Sequence, residues 1–101
     1  MNNKIYSIDE IKKRFAKVAK IYPISEAYLF GSYARGDATK KSDVDFYVKT
    51  GELKSAWDIG GIWYETEQAM KKKIDIVYAD QMNINAEFEQ EMRKDMIKIY
   101  G

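Results

Sequence analysis

The sequence predicts an α+β fold, in which a small mixed β-sheet is backed by helices on one face. Three short segments, near residues 27–30, 44–48 and 74–78, have the apolar runs or the two-residue alternation of strands. Around them, apolar residues recur at steps of three and four, as on one face of a helix. With 101 residues the chain has room for one hydrophobic core, so residues 1–101 are expected to form a single domain.

The first helix is expected to begin at Ser7, because Ser7 and Glu10 form the pattern of a capping box. Its apolar stripe consists of Ile8, Ile11, Phe15, Val18 and Tyr22. Pro23 ends this helix, since the residue before a proline is disfavoured in the α region. A buried strand, Ala27–Phe30, follows and stops at Gly31. The polar stretch from there to residue 42 indicates a turn, with room for one turn of helix, and then an exposed loop.

The second strand carries acidic residues on one face. It alternates so that one face has Val44, Phe46 and Val48, and the other, wet face has Asp43, Asp45 and Tyr47. Ser55 is expected to cap the next helix. Gly60 and Gly61 lie inside that helix at a cost of ~1 kcal/mol each relative to alanine, which indicates close approach of another backbone.

The third strand covers residues 73–79 and has the same pattern. Ile74, Ile76 and Tyr78 are expected to point inward, with Asp75 and Val77 on the opposite face. A charge in the middle of an apolar strand is costly without a role, so Asp75 is a strong functional candidate. A last helix is expected to start at Asn83 or Asn85, and Ile97–Tyr100 to form a short edge strand.

Composition narrows the possible chemistry. The 17 basic and 16 acidic side chains leave a net charge of +1, which argues against stable nucleic-acid binding. The run Lys71–Lys73 is interpreted as a solvated helix end.

Because the chain has no cysteine and no histidine, thiolate chemistry, imidazole bases and Cys/His zinc sites are excluded. A metal must therefore be held by oxygen, which favours Mg²⁺ or Mn²⁺. The N-terminus has no apolar signal region, so a cytoplasmic protein with no membrane partner is expected.

Three carboxylates form the candidate catalytic and metal site. Asp43 and Asp45 lie two apart on one strand and so project from the same face. If the strand of Asp75 is a neighbour, its carboxylate can join them. Carboxylates this close repel one another unless a cation intervenes, and two Mg²⁺ ions shared among the three would give a two-metal site.

A candidate phosphate site lies just before the carboxylates. Gly31 allows the backbone to approach a phosphate closely, because it has no Cβ. Ser32 opens a helical turn whose hydroxyl and free amides can bind an anion. Arg35, one turn later, could grip a phosphate oxygen in a bidentate manner, although a plain surface role is equally compatible with the sequence.

These residues resemble a known family. The segments Gly31–Gly36, Ser42–Asp45 and Lys73–Val77 look like the DNA polymerase-beta-type nucleotidyltransferase superfamily, and more narrowly the minimal nucleotidyltransferases of prokaryotes. The resemblance implies a polymerase-beta-like nucleotidyltransferase fold. It also implies that Gly31 and Ser32 bind the triphosphate of ATP, and that Asp43, Asp45 and Asp75 hold Mg²⁺.

The resemblance also implies a partner. Minimal members of the family are typically antitoxins paired with a HEPN-domain ribonuclease toxin, and they transfer AMP to a toxin tyrosine. A Mg²⁺-dependent protein adenylyltransferase that neutralises a cognate HEPN toxin, in a hetero-oligomer with it, is therefore the expected function. Two alternatives remain open: an antitoxin that acts by covering the toxin without catalysis, and nucleotidyl transfer to a small-molecule hydroxyl.

Overall fold

The structure, a computed structural model, describes residues 4–51, 56–79 and 86–101. In these residues the elements run in the order α1 Ile8–Ala19, β1 Ile24–Phe30, α2 Gly31–Arg35, β2 Val44–Thr50, α3 Ala56–Met70, β3 Ile74–Tyr78, α4 Ala86–Asp95 and β4 Ile97–Tyr100. The expected helix starts at Ser55 and at Asn83 or Asn85 lie outside the described residues. Among the described helices, none has both the length and the apolar character needed to cross a membrane.

The four strands form one sheet in the order β3-β2-β1-β4. β1 is antiparallel to both β2 and β4, whereas β2 and β3 are parallel and joined through α3. The sheet is therefore mixed, and β4 lies at its edge as expected. The predicted α+β class is confirmed.

The hydrophobic core lies where α1 and α3 pack together and face the sheet. Phe15 of α1 stacks on Phe46 of β2, with 5.4 Å between ring centroids. The capping box is present as predicted: the Ser7 hydroxyl accepts from the Glu10 amide, and the Glu10 carboxylate accepts from the Ser7 amide. α1 ends at Ala19, earlier than the sequence indicated, and Tyr22 follows the helix in the turn before β1.

β1 starts at Ile24, three residues before the predicted start. Ile24 is buried and lies opposite Thr50, so it belongs to the sheet. A shift of register between Ile24 and Glu26 interrupts the regular pairing, which is why simple alternation missed this end of the strand. The helical turn after β1 is present as α2.

Tyr47 corrects the expectation that one face of β2 is wholly wet. Its side chain is on the face of Asp45 by alternation, yet it is buried. The ring lies 6.1 Å from that of Tyr28 in the neighbouring strand. Tyr47 and Met92 of α4 are both buried but lie outside the main core cluster. On this face Asp45 and Lys49 are partly exposed, whereas Tyr47 between them is buried.

The two glycines of α3 have different surroundings. A Cβ on Gly61 would overlap the hydroxyl of Tyr22 and lie 2.6 Å from its Cζ. The close approach is thus made by a side chain, whereas a backbone was expected. Gly60 is exposed, and a Cβ there would meet no atom of the described residues within 4 Å.

Lys72 corrects the interpretation of the lysine run as wholly solvated. It is only 3% exposed, and its Nζ donates to the carbonyl oxygens of Lys4 and Lys40 at 2.9 and 3.2 Å. Lys71 and Lys73 are exposed as expected. Lys72 therefore ties the N-terminal segment and the loop before β2 to the start of β3.

Candidate active site

The site begins where β1 turns into α2. Gly31 has φ of +71°, a conformation that residues with a side chain rarely adopt. The turn is short, because Gly36 ends α2 in the left-handed region and the amides of Gly36 and Asp37 both donate to the Ser32 carbonyl at 3.0 and 3.1 Å. The residue before the turn, Phe30, offers no capping side chain. Because the first amides of a helix have no carbonyl partner within it, those of α2 can donate to an external acceptor.

Gly31 lies directly against one of the predicted catalytic residues. Phe30 is paired with Asp45 across β1 and β2. A Cβ on Gly31 would overlap Oδ2 of Asp45 and lie 3.3 Å from its Cγ. The absence of a side chain at position 31 therefore lets the candidate phosphate turn and the carboxylate lie in contact.

The parallel pairing of β2 and β3 brings two aspartates side by side. Asp45 is the register partner of Asp75, and the Val44 amide donates to the Lys73 carbonyl at 3.2 Å to align the two strand ends. Asp43 lies two residues before Asp45, at the entry to β2. The condition on which the predicted three-carboxylate site depended, that these strands be neighbours, is met.

The electrostatics of Asp45 reflect this crowding. Burial, together with the nearby charges of Asp75 and Asp43, raises the pKa of its carboxyl group from 3.8 to about 6. The Arg35 guanidinium opposes the shift. A positive charge placed nearby would stabilise the ionised form of this carboxyl group.

The residues fit a hard divalent cation by their chemistry. Three carboxylates from two adjacent strands are oxygen donors of the type that Mg²⁺ prefers, and the raised pKa of Asp45 shows that positive charge would be favourable there. As the side chains stand, no three acidic groups in the described ranges converge closely enough to hold an ion. A cation would draw together carboxylates that otherwise repel.

Ser32 and Arg35 occupy the turn as expected, and Arg35 has partners that the sequence did not reveal. Ser32 is half-buried at the second position of α2. The side chain of Arg35 is 47% exposed, and it pairs with Asp37 at 3.3 Å and with Asp95 of α4 at 3.9 Å. The Asp95 contact joins residues sixty positions apart, so no local pattern could have indicated it.

The fold and this arrangement define a nucleotidyltransferase. The sequence matches the nucleotidyltransferase domain family over residues 8–101, and the chain belongs to that family. One relative is a Methanocaldococcus jannaschii protein, provisionally named a protein adenylyltransferase. It is 35% identical over 71 residues, which span 70% of this chain and 76% of the relative.

Solved structures show the same fold. A chain of a toxin–antitoxin complex with AMP-PNP has a TM-score of 0.73 and 18% identity, covering 89% of this chain and 73% of that one. A chain from the Shewanella oneidensis complex of a tri-AMPylated HEPN toxin with a minimal nucleotidyltransferase (MNT) antitoxin has a TM-score of 0.66 and 17% identity, covering 93% and 72%. The predicted nucleotidyltransferase family is confirmed by the family match, and the fold predicted from the resemblance to the minimal nucleotidyltransferases is confirmed by these structures.

Proposed function

We propose that this protein transfers AMP from ATP to a tyrosine hydroxyl of a partner HEPN ribonuclease toxin, in a Mg²⁺-dependent reaction that neutralises the toxin. The observation that carries the proposal is the pairing of Asp45 with Asp75, with Gly31 packed against Asp45. The name of the M. jannaschii relative and the AMPylated toxin in the S. oneidensis complex support protein as the acceptor and AMP as the group transferred.

The reaction is an in-line displacement at the α-phosphorus of ATP. The tyrosine oxygen forms a new O–P bond, the bond from the α-phosphorus to the bridging oxygen breaks, and pyrophosphate leaves with that oxygen. The phenolic proton has a pKa of ~10 and must be removed as the bond forms. Asp75 is exposed beside Asp45 and is the carboxylate that we assign to accept it.

The remaining site residues bind and orient the nucleotide. We assign the first amides of α2, at Gly31 and Ser32, to bind the phosphates that leave as pyrophosphate, and Arg35 can add a charged donor. Asp43, Asp45 and Asp75 would hold Mg²⁺, which when bound stabilises the charge of the triphosphate and lowers the pKa of the attacking hydroxyl. AMP on the toxin would place negative charge and bulk where a ribonuclease needs an RNA phosphate.

The test is transfer of label from α-labelled ATP to the co-expressed toxin. We expect wild-type protein with Mg²⁺ to label the toxin, and the Asp43→Asn/Asp45→Asn variant to lose at least 100-fold in rate, since both changes remove charge from the candidate metal site. Asp9→Asn, which removes an exposed carboxylate on α1, is the matched control and should retain the activity. Label in a small molecule with none in protein would contradict the proposed acceptor.

Neutralisation by binding alone is the second candidate. It is favoured by two aromatic side chains on α3, Trp57 and Tyr64, which are 87% and 60% exposed and lie two turns apart on one face. If binding suffices, Asp43→Asn/Asp45→Asn will still protect cells from the toxin, whereas Trp57→Ala/Tyr64→Ala will not. The opposite pattern supports catalysis.

A further inference from the structure

A pocket lies between the end of β1 and α4, beside the candidate phosphate turn. Its volume is about 260 Å³, and both Gly31 and Arg35 contribute to its wall. Sites for drug-sized ligands typically have ~300–1,000 Å³. This pocket is therefore suited to one ring system of a ligand, and the rest of that ligand would extend along α2.

The interior of the pocket is apolar and aromatic. Phe30 is the last residue of β1 and is paired with Asp45, while Phe88 and Met92 lie one turn apart on α4. Met92 is buried, and Phe88 is 45% exposed. Aromatic rings bind nucleobases through their faces, and a thioether adapts to a flat ring. These three side chains offer the surface that a planar heterocycle needs.

The rim of the pocket is acidic. Glu91 and Asp95 complete the lining from α4. Lys94 pairs with Glu91 at 3.0 Å, and Arg35 with Asp95 at 3.9 Å, so each carboxylate keeps acceptor positions free for a further donor. Ionised carboxylates accept hydrogen bonds and cannot donate them. They favour a ring that carries an amino group over one that presents a carbonyl oxygen at the same place.

We propose that this pocket binds the base of the nucleotide, with Phe30, Phe88 and Met92 packing against the ring, and that Glu91 and Asp95 select a base with an exocyclic amine, as in adenine. The inference rests on the proposed function, because it assumes that α2 binds the triphosphate. Gly31 and Arg35 connect the candidate phosphate site to the pocket, since both residues belong to α2 and also line the pocket.

The acceptor tyrosine is the other aromatic group that could enter such a pocket. In-line transfer places the attacking hydroxyl opposite the leaving pyrophosphate. The pyrophosphate would bind at α2. The acceptor would therefore approach from the side of Asp75, which lies on β3 at the edge of the sheet. The pocket lies on the α2 side, which favours the nucleotide as its occupant.

Calorimetric titration with Mg²⁺ and three probes tests the base site: ATP, ITP and inorganic tripolyphosphate. Phe88→Ala should weaken ATP binding about tenfold, the effect of losing one stacking ring, and should leave tripolyphosphate binding unchanged. Ile21→Ala, which truncates an exposed apolar side chain outside the pocket, is the matched control. Equal ATP affinity in these two variants would overturn the base site.

Selectivity for the amine has its own readout. Wild-type protein should bind ATP more tightly than ITP, and Glu91→Gln/Asp95→Asn should reduce that ratio at least threefold, because an amide can also donate to the carbonyl of hypoxanthine. A ratio unaffected by the double change would overturn the role of the carboxylates.

If the wild type binds neither ATP nor tripolyphosphate, the proposed function fails. If Phe88→Ala instead raises only the KM for the protein acceptor, the pocket belongs to the acceptor.

Discussion

At position 31, two independent constraints require glycine: a positive φ and the contact with Asp45. Gly36 has only the first of these, because a Cβ there would meet no atom of the described residues within 4 Å. We expect Gly36→Ala to lower the free energy of unfolding by about 1 kcal/mol and to keep its activity. Gly31→Ala should lower it by about 2–3 kcal/mol and abolish transfer, since the new methyl group displaces the Asp45 carboxylate.

Urea denaturation and the transfer assay, applied to both variants, check this expectation. Equal loss of activity in the two alanine variants would mean that backbone strain alone matters at position 31. The pair therefore separates the conformational requirement for glycine from the steric one.

The raised pKa of Asp45 predicts a stability that depends on pH. Because the pKa is about 6 in the folded protein and 3.8 ordinarily, the folded state holds its proton to higher pH than the unfolded state does. Stability therefore falls as pH rises from ~4 to ~6, and the full cost is present above pH 6. Asp45→Asn removes this cost. After allowance for solvent screening of a partly exposed group, we expect it to stabilise the protein by about 1–2 kcal/mol at pH 8.

Denaturation curves of wild type and Asp45→Asn, measured from pH 4 to pH 8, check the sign. The difference between them should shrink steadily as pH falls toward 4, because the aspartate is then protonated in the folded state and increasingly protonated in the unfolded state. A difference independent of pH would mean that Asp45 is not the titrating group. A stabilised yet inactive variant would be typical of a catalytic residue held in an unfavourable environment.

Among the elements, α3 offers a direct comparison between neighbouring glycines. Gly60→Ala should raise the free energy of unfolding by about 0.5–1 kcal/mol, because it adds helix propensity at an exposed position with open space. Gly61→Ala gains the same propensity but forces the Tyr22 ring away from the helix. We expect it to be at least 1 kcal/mol less stable than Gly60→Ala, by thermal or urea denaturation; the reverse order would contradict the close contact with Tyr22.

A buried ammonium group, that of Lys72, ties the loop before β2 to the start of β3. Lys72→Met keeps the apolar stem but removes both hydrogen bonds, to the carbonyls of Lys4 and Lys40. We expect a loss of about 2 kcal/mol in the free energy of unfolding. Lys73→Met is the matched control, because Lys73 is exposed and should tolerate the change. Similar stability of the two variants by chemical denaturation would show that the Lys72 bonds contribute little.

The sequence allowed prediction of those elements whose causes are local. The capping box at Ser7 and the alternation around Asp75 are readable because neighbouring residues determine them. The burial of Lys72 is not predictable from its neighbours, since which lysine of a run turns inward depends on where distant carbonyls lie. The contact of Arg35 with Asp95 is likewise not predictable from local sequence, because the two residues are far apart along the chain. For the site, the sequence predicts the two strands that carry the aspartates, whereas their pairing and register are seen only in the sheet.

For the molecule as a whole, nucleotide binding should stabilise the fold. ATP with Mg²⁺ at a hundredfold excess over Kd should add ~2.7 kcal/mol to the free energy of unfolding and raise the melting temperature. Thermal denaturation with and without ligand measures this. The Asp43→Asn/Asp45→Asn variant should lose most of the shift, as should wild type with ATP and a chelator. No shift in wild type would count against a formed metal–nucleotide site.

The parallel pairing of β2 with β3 also bears on when the site comes into being during folding. Asp45 and Asp75 are thirty positions apart along the chain, and only the completed β2-α3-β3 crossover makes them neighbours. Contacts over such separations form late, because the intervening chain must first be ordered. The proposed catalytic pair therefore exists only in the finished sheet, and a chain in which β3 has not yet docked would lack it.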